Sequence, residues 1–164
     1  MEKRFIVAVV FATVLVLVGG NFVITSVNSS QAVKFSQNAK VDVPDPTSYD
    51  WGNIPYGGGN ATKSFTIKNS GSEMLKVYNV KTSCHCTKAY MTIDGNKSPE
   101  FGMSSFSSWN GEVFPGKEAV LTVVFDPAFH GPQGIGPINR FVSVETNDRA
   151  NSKLTFTVTG IVVK

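Results

Sequence analysis

The chain is poor in the residue types on which most catalytic and metal sites are built. Its 164 residues include two cysteines and two histidines, and charged residues make up only 16% of the total. The Gly-x-Ser-x-Gly elbow of serine hydrolases and the His-Glu-x-x-His zinc helix do not occur, and no pair of carboxylates stands out. The sequence therefore supplies no catalytic set of residues and favours a protein that is not an enzyme.

Concentrated positive charge is also absent. The formal net charge is +3, and the basic residues are scattered along the chain without forming a cluster. Because nucleic-acid binding needs a concentrated basic surface, we expect no nucleic-acid partner. The glycines at positions 57–59 form a turn without a following helix, so they cannot cradle a phosphate, and no small-molecule substrate is evident.

Sustained helical periodicity is missing after residue 30. Runs rich in Val, Thr, Ile and Phe are separated by Gly, Pro, Asn and Asp, a composition typical of β-proteins. Seven short strands joined by turns predict an all-β fold, and a β-sandwich fits better than a closed barrel. The predicted strands are residues 49–54, 62–68, 75–81, 88–93, 118–125, 140–145 and 154–163.

Alternation within these strands predicts which side chains face the core. In residues 62–68 the inward side chains are Phe65 and Ile67. In residues 75–81 the alternation gives one face formed by Leu75, Val77 and Asn79 and an opposite face formed by Tyr78 and Val80.

Two long segments between the strands are irregular, residues 94–117 and residues 126–137. Long loops without secondary structure are uncommon in compact domains and often carry function. The first segment contains several aromatic residues, which predicts that it packs against the domain and does not project as a free flap.

A long apolar segment lies near the N-terminus. Residues 5–18 are apolar except for Thr13, and the apolar character resumes in residues 22–24. As a helix, this segment would be about 30 Å long, which matches the hydrocarbon core of a bilayer. Residues 1–26 are therefore predicted to be a signal anchor that spans the membrane or a signal peptide that is cleaved.

Charges in front of the apolar segment predict its orientation. Lys3 and Arg4 are expected to keep the N-terminus in the cytoplasm, so that the rest of the chain is exported. Residues 27–47 are polar and read as a linker, and residues 48–164 form the predicted domain. We therefore expect a domain anchored to the membrane outside the cytoplasm, or secreted after cleavage, with the membrane and an envelope protein as partners.

Both cysteines lie in the stretch Ser83-Cys84-His85-Cys86-Thr87. In an extended chain, Cys84 and Cys86 would point to one face and His85 to the other. Three uses of the pair stay open. The cysteines could form an easily reduced disulfide that closes a very small loop, bind a soft metal, or pack as small apolar side chains.

A metal site would need ligands besides the two sulfurs. His130 is the only other histidine, and it lies in the segment 126–137, which the ends of a sandwich could bring close to the cysteines. Met103 offers a thioether, a ligand that selects Cu(I) over Zn(II). One prediction is therefore a copper site of Cys84, Cys86 and His130, with Met103 or His85 as a fourth ligand.

Several short motifs together resemble a bacterial family described only as domain of unknown function 1573. In chain order they are Trp51-Gly52-Asn53-Ile54, Phe65-Thr66-Ile67-Lys68-Asn69-Ser70-Gly71, Leu75-Lys76-Val77, Ser83-Cys84-His85-Cys86-Thr87, Pro115-Gly116, Val123-Val124-Phe125-Asp126, Val144-Glu145-Thr146-Asn147-Asp148 and residues 154–160. Members of the family resemble immunoglobulin folds of the Hydin and major-sperm-protein types. The resemblance covers about residues 48–163 and implies an exported immunoglobulin-like sandwich without a settled activity. The family usually has Gly between the cysteines, where this chain has His85.

Three functions follow from these observations. The first is a membrane-tethered, non-enzymatic module that binds another protein in the cell envelope. The second is copper binding or delivery through Cys84, Cys86 and His130. The third is thiol–disulfide redox chemistry at the two cysteines.

Overall fold

The computed structural model describes residues 3–14, apart from positions 5, 8 and 12, and residues 33–164, apart from position 106. The chain divides into two units, residues 1–32 and residues 33–164. In the first unit the described residues are helical. Most of the predicted signal anchor or signal peptide, residues 1–26, lies outside the described residues, and no helix among those described is long and apolar enough to cross a membrane.

The second unit is a sandwich of two five-stranded sheets. Its strands are β1 (Val41–Asp42), β2 (Ser48–Pro55), β3 (Ala61–Asn69), β4 (Leu75–Thr82), β5 (Thr87–Ile93), β6 (Asn96–Lys97), β7 (Asn110–Val113), β8 (Glu118–Phe125), β9 (Gly136–Thr146) and β10 (Lys153–Val163). One sheet has the order β1-β3-β8-β5-β6, and the other has the order β2-β10-β9-β4-β7. Neighbouring strands are antiparallel except β2 and β10, which are parallel.

All seven predicted strands are present, but the described strands number ten. The three additional strands are β1, β6 and β7, which have two, two and four residues. Strands this short contain too few residues to show an alternating pattern, so periodicity could not reveal them. All three lie at edges of the two sheets, where they extend the sandwich.

Residues 33–47, the described part of the predicted linker, pack against the sandwich. β1 pairs with β3, and the Ser36 amide donates a hydrogen bond to the Asn147 carbonyl at 2.8 Å. Ala39 is fully buried in the core. The compact unit therefore begins at Val33, ahead of the predicted domain start at residue 48, and backbone pairing holds this polar part of the predicted linker against the sandwich.

The core between the sheets contains the predicted inward side chains of β3. Phe65 and Ile67 have exposed fractions of 1% and 0%. A second apolar cluster lies at one end of the sandwich and includes Cys86, Phe125 and Ile138. This cluster places one of the two cysteines at the boundary between the packed interior and the loops.

A bulge in β4 changes the predicted alternation of that strand. Asn79 has a φ angle of +48°, and the pairing of β4 with β9 shifts between Tyr78 and Lys81. The extra residue brings Val80 into the same core cluster as Val77, so the prediction that they lie on opposite faces is wrong. Asn is one of the few residues other than Gly that adopt this left-handed conformation at low cost.

The segment 94–117 packs against the domain, as its aromatic content predicted. Phe101 is 2% exposed, pairs its backbone with Ala89, and contacts the Trp109 ring with centroids 5.4 Å apart. The segment is not wholly irregular, because β6 and β7 lie within it.

Candidate thiol and metal-ligand site

The chain crosses from β4 to β5, and so from one sheet to the other, through a tight turn at residues 83–86. The Thr87 amide donates a hydrogen bond to the Cys84 carbonyl at 3.1 Å. Ser83 is fixed to β9 by two bonds, from its amide to the Phe141 carbonyl and from the Phe141 amide to its Oγ, each 2.9 Å long. Main-chain contacts on both sides therefore hold the turn that carries the cysteines.

Cys84 and Cys86 form a disulfide, with their Cα atoms 5.2 Å apart. The turn, and not the alternation of an extended strand, brings the two sulfurs together. Cys86 is buried, with an exposed fraction of 2%, whereas Cys84 is half-buried. Cys84 is therefore the sulfur that an incoming reagent can reach, and His85 between them is exposed.

His130 reaches the disulfide from the loop that follows β8. Its Nε2 atom lies 3.5 Å from the Cys84 Sγ. The ligand atoms of Cys84, Cys86 and His130 all lie within 4.8 Å of one another. The structure thus brings together three of the residues that the sequence proposed for a site, although His130 lies 46 positions after Cys84 in the chain.

Arg140 is a member of the site that the sequence did not predict. Its Nε–H group donates a hydrogen bond to the Cys86 Sγ at 3.2 Å, and its Nη1 donates to the Asn139 carbonyl at 2.9 Å. Along β9, Arg140 stands in the same alternating row as the buried Ile138 and Val142. A charged residue at a strand position where alternation predicts a buried side chain is the sequence feature that could have revealed it.

A cavity of about 440 Å³ lies beside the disulfide. His130 and Arg140, the two residues that contact the sulfurs, both contribute to its wall. The remaining lining residues are mostly apolar or small, namely Phe125, Pro127, Gln133, Gly134, Ile135, Gly136, Pro137 and Ile138. The cavity therefore borders the two residues that contact the sulfurs, while neither cysteine is part of its wall.

The arrangement is suited to sulfur chemistry. A thiolate that attacked the accessible Cys84 Sγ would release Cys86 as a thiolate next to the Arg140 guanidinium, and a nearby positive charge stabilises a thiolate. His130, on the Cys84 side, is placed to accept or return a proton. With the disulfide reduced, the same two sulfurs and the His130 nitrogen form a soft donor set for a metal.

Met103, the other predicted ligand, follows the buried Phe101 in the long loop. Its side chain is 42% exposed, and the preceding Gly102 carbonyl accepts a hydrogen bond from the Thr82 amide at 3.5 Å. The loop is thus tied to the end of β4, two residues before Cys84. The roles of Met103 and His85 as a fourth ligand stay predictions.

A solved structure with a TM-score above 0.5 agrees with the fold. A protein of unknown function from Porphyromonas gingivalis W83 aligns with a TM-score of 0.58 and 20% identity over 79% of this chain, and the alignment spans half of that protein. A PapD-like domain of human CEP192 has a TM-score of 0.47 and 16% identity over 82% of this chain and 92% of its own. The major-sperm-protein family member WR4 of C. elegans has a TM-score of 0.42 and 15% identity over 78% of this chain and all of its own.

No curated protein matches this chain in sequence. A family of proteins of unknown function, DUF1573, matches over residues 44–100, a segment that contains both cysteines. The resemblance predicted from the sequence motifs is confirmed there. Residues 44–100 of this immunoglobulin-like sandwich are therefore similar to the DUF1573 proteins.

Proposed function

We propose that this chain is a thiol–disulfide exchange protein whose reacting pair is Cys84 and Cys86. One observation carries the proposal: the disulfide lies between a histidine 3.5 Å from one sulfur and an arginine 3.2 Å from the other. A disulfide that only braced the fold would need neither group. The predicted interaction with an envelope protein then becomes an interaction with a thiol-bearing substrate.

The exchange proceeds in two steps. A thiol of the partner gives its proton to His130, and the resulting thiolate attacks the Cys84 Sγ. A mixed disulfide between the partner and Cys84 forms as the Cys84–Cys86 bond breaks, and the bonding electron pair leaves on Cys86 beside Arg140. A second thiol of the partner gives its proton to the Cys86 thiolate and attacks the partner's own sulfur. This attack releases Cys84 as a thiolate, which recovers the first proton from His130.

The net reaction oxidises a dithiol of the partner to a disulfide and reduces the disulfide of this chain to two thiols. The reverse sequence, with a disulfide compound as the oxidant, regenerates the starting state. Because Cys84 is half-buried and Cys86 is buried, the first attack falls on Cys84 and Cys86 acts as the leaving and resolving sulfur.

The expected location is consistent with this chemistry. Disulfides persist in oxidising compartments and are rare where thiols are kept reduced. We therefore retain the proposal that residues 1–26 export the chain and, if uncleaved, tether it to a membrane with the sandwich outside the cytoplasm.

The proposal is tested by the rate at which glutathione reduces the disulfide, followed by acid quenching and mass spectrometry. Arg140→Gln should slow reduction about tenfold, because the Cys86 thiolate loses its neighbouring charge, and Arg140→Lys should recover part of the rate. Arg149→Gln is the matched control, since it removes the same charge from an exposed position in the β9–β10 turn, at the other end of β9 from the disulfide. Equal rates for Arg140→Gln and Arg149→Gln would contradict the proposal.

A second candidate function is Cu(I) binding by the reduced protein. It is favoured because the donor atoms of Cys84, Cys86 and His130 all lie within 4.8 Å of one another, and such a set suits a soft metal. Reduced protein should bind about one Cu(I) per chain, and affinity should fall in His130→Asn. Undiminished uptake by a double Cys84→Ser, Cys86→Ser variant would exclude this function.

The Arg140→Gln variant separates the two candidates. Exchange needs the guanidinium beside the leaving thiolate, whereas a bound cation gains nothing from a positive neighbour. Exchange that slows while Cu(I) affinity is kept or increased identifies the first function. Cu(I) affinity that is kept or increased while the exchange rate stays unchanged would favour the second.

A further inference from the structure

β9 is longer than the strand beside it, and part of one of its edges is uncovered. β4 ends where Thr82 pairs with Val142, and the last contact along this edge joins Ser83 to Phe141. The chain then turns away at Cys84. On this side none of the described strands pairs with Gly136–Arg140, although the opposite edge is paired with β10 along its whole length.

The alternation of an antiparallel ladder fixes which main-chain groups face the uncovered edge. Both main-chain groups of Phe141 point toward Ser83 and away from β10. Groups two and four residues earlier must point the same way, which selects Asn139 and Pro137. The Asn139 carbonyl is used by Arg140, so the edge offers the Asn139 N–H as a donor and the Pro137 carbonyl as an acceptor.

This edge lies next to the reactive sulfurs. Arg140 lies within the uncovered stretch of β9 and contacts Cys86, and Ser83, which closes the edge, precedes Cys84 directly. The cavity is walled by Ile138 and Arg140, which are the residues that alternate with the edge groups. A strand continuing the line of β4 would thus pass Cys84 and place inward side chains at the cavity.

We propose that the thiol substrate is an extended, cysteine-containing segment of a partner polypeptide, which adds as a strand beside Pro137–Asn139. This proposal rests on the proposed exchange function and names its substrate class. A polypeptide is the occupant that can use the alternating donor and acceptor of the edge, as in other cases of strand addition. Its cysteine supplies the thiol that attacks Cys84, and an apolar neighbour enters the cavity.

A second copy of this chain does not fit the same role. Its two cysteines lie in the tight turn between β4 and β5, joined to each other, and an extended segment carrying a free thiol is not available there. A small thiol such as glutathione can react with Cys84 but lacks the length of backbone that would pair with β9.

The test compares a short peptide of alternating valine and threonine with a central cysteine against glutathione as reductants of the native disulfide. Asn139→Pro removes the N–H donor of the edge, and it costs no ladder bond because that group faces away from β10. Asn139→Ala is the matched control, which keeps the N–H and removes the same side chain. Both variants are checked for folding by circular dichroism.

We expect Asn139→Pro to slow reduction by the peptide about threefold to tenfold, the worth of one main-chain hydrogen bond, while its rate with glutathione stays that of Asn139→Ala. Slowing of both reductants alike, or of neither, would overturn the inference while leaving exchange intact. If neither reductant opened the wild-type disulfide, the proposed function itself would fail.

A second measurement keeps the inference testable if the proline variant does not fold. Two versions of the peptide carry N-methyl groups on alternate amides, so that one version loses the donors that face β9 and the other loses those that face away. With wild-type protein, one version should react several-fold more slowly than the other. Equal rates for the two versions would overturn strand addition.

Discussion

The two ends of the sandwich hold their polar side chains in different ways. At the end formed by the turns after β3 and β9, here called the Asp148 end, buried polar side chains bind main-chain groups. At the end formed by residues 83–86 and 126–135, the cysteine end, His130 and Arg140 bind sulfur and line a cavity. Polar groups of the first kind serve the fold, and those of the second kind are available for chemistry.

Asn69 and Asn147 illustrate the Asp148 end. The side-chain Nδ2 of Asn69 donates to the carbonyls of Glu73 and Val113, each at 2.8 Å. The Oδ1 of Asn147 accepts a hydrogen bond from the main-chain amide of Lys76 at 2.8 Å. These side chains replace backbone pairing where the chain turns. No reactive atom is among their partners, which explains why buried polarity here does not indicate a site.

The largest predicted effect is a loss of activity, with little loss of stability, when the cysteine end is changed. Cys84→Ser removes the sulfur that an incoming thiol attacks, so disulfide exchange with glutathione should be lost completely. Stability should be affected much less than exchange: the free energy of unfolding should fall only slightly, because the bridge joins residues only two positions apart. Mass spectrometry of mixed disulfides and urea titration measure the two effects. Residual exchange at the wild-type rate would contradict the role of Cys84.

The next effect is the reverse case, a large loss of stability with activity kept. Asn69→Ala removes two hydrogen bonds of a fully buried side chain, to the carbonyls of Glu73 and Val113, so the free energy of unfolding should decrease by about 2–3 kcal/mol. Exchange by the folded protein should be unchanged within about twofold, because no contact of Asn69 reaches the cysteine end. A slowed exchange rate in folded Asn69→Ala would break the separation between the ends.

Asp148 predicts a smaller, pH-dependent effect. Burial raises the pKa of Asp148, but hydrogen bonds from the amides of Val41 and Ala150 and from Asn151 outweigh it, so the pKa lies below its ordinary value. The stabilisation is therefore present above the ordinary pKa of about 3.9 and is lost as pH falls through the lower folded value.

The change Asp148→Asn should accordingly lower the free energy of unfolding at pH 7 by about 1–2 kcal/mol and flatten its decline in acid. Thermal unfolding of both proteins between neutral and acidic pH measures this. Parallel declines for the two proteins would show that another carboxylate is responsible. Exchange at neutral pH should not respond to this substitution.

The seven long strands could be predicted because side chains alternate along them, and the sulfur pair with His130 could be predicted because loops gather at the ends of a sandwich. The pairing of residues 36–42 could not be predicted, since its contacts are backbone bonds made by a polar sequence. The bulge at Asn79 likewise reverses the alternation without any change in hydrophobicity. Arg140 was missed because a cation in an inward row has a rationale only once Cys86 is seen beside it.

The smallest predicted effect concerns His85, which lies between the two cysteines. Its side chain is exposed, while His130 is the histidine that reaches the Cys84 sulfur. We expect His85→Gly to leave the rate of reduction by glutathione within about twofold of wild type, because an exposed side chain contributes little to a neighbouring reaction. His130→Asn, which removes the proton acceptor beside Cys84, should slow the same reaction by about tenfold or more. If the two variants lost equal activity, the chemistry of the cysteine end would depend on the turn itself, and the assignment of His130 would be wrong.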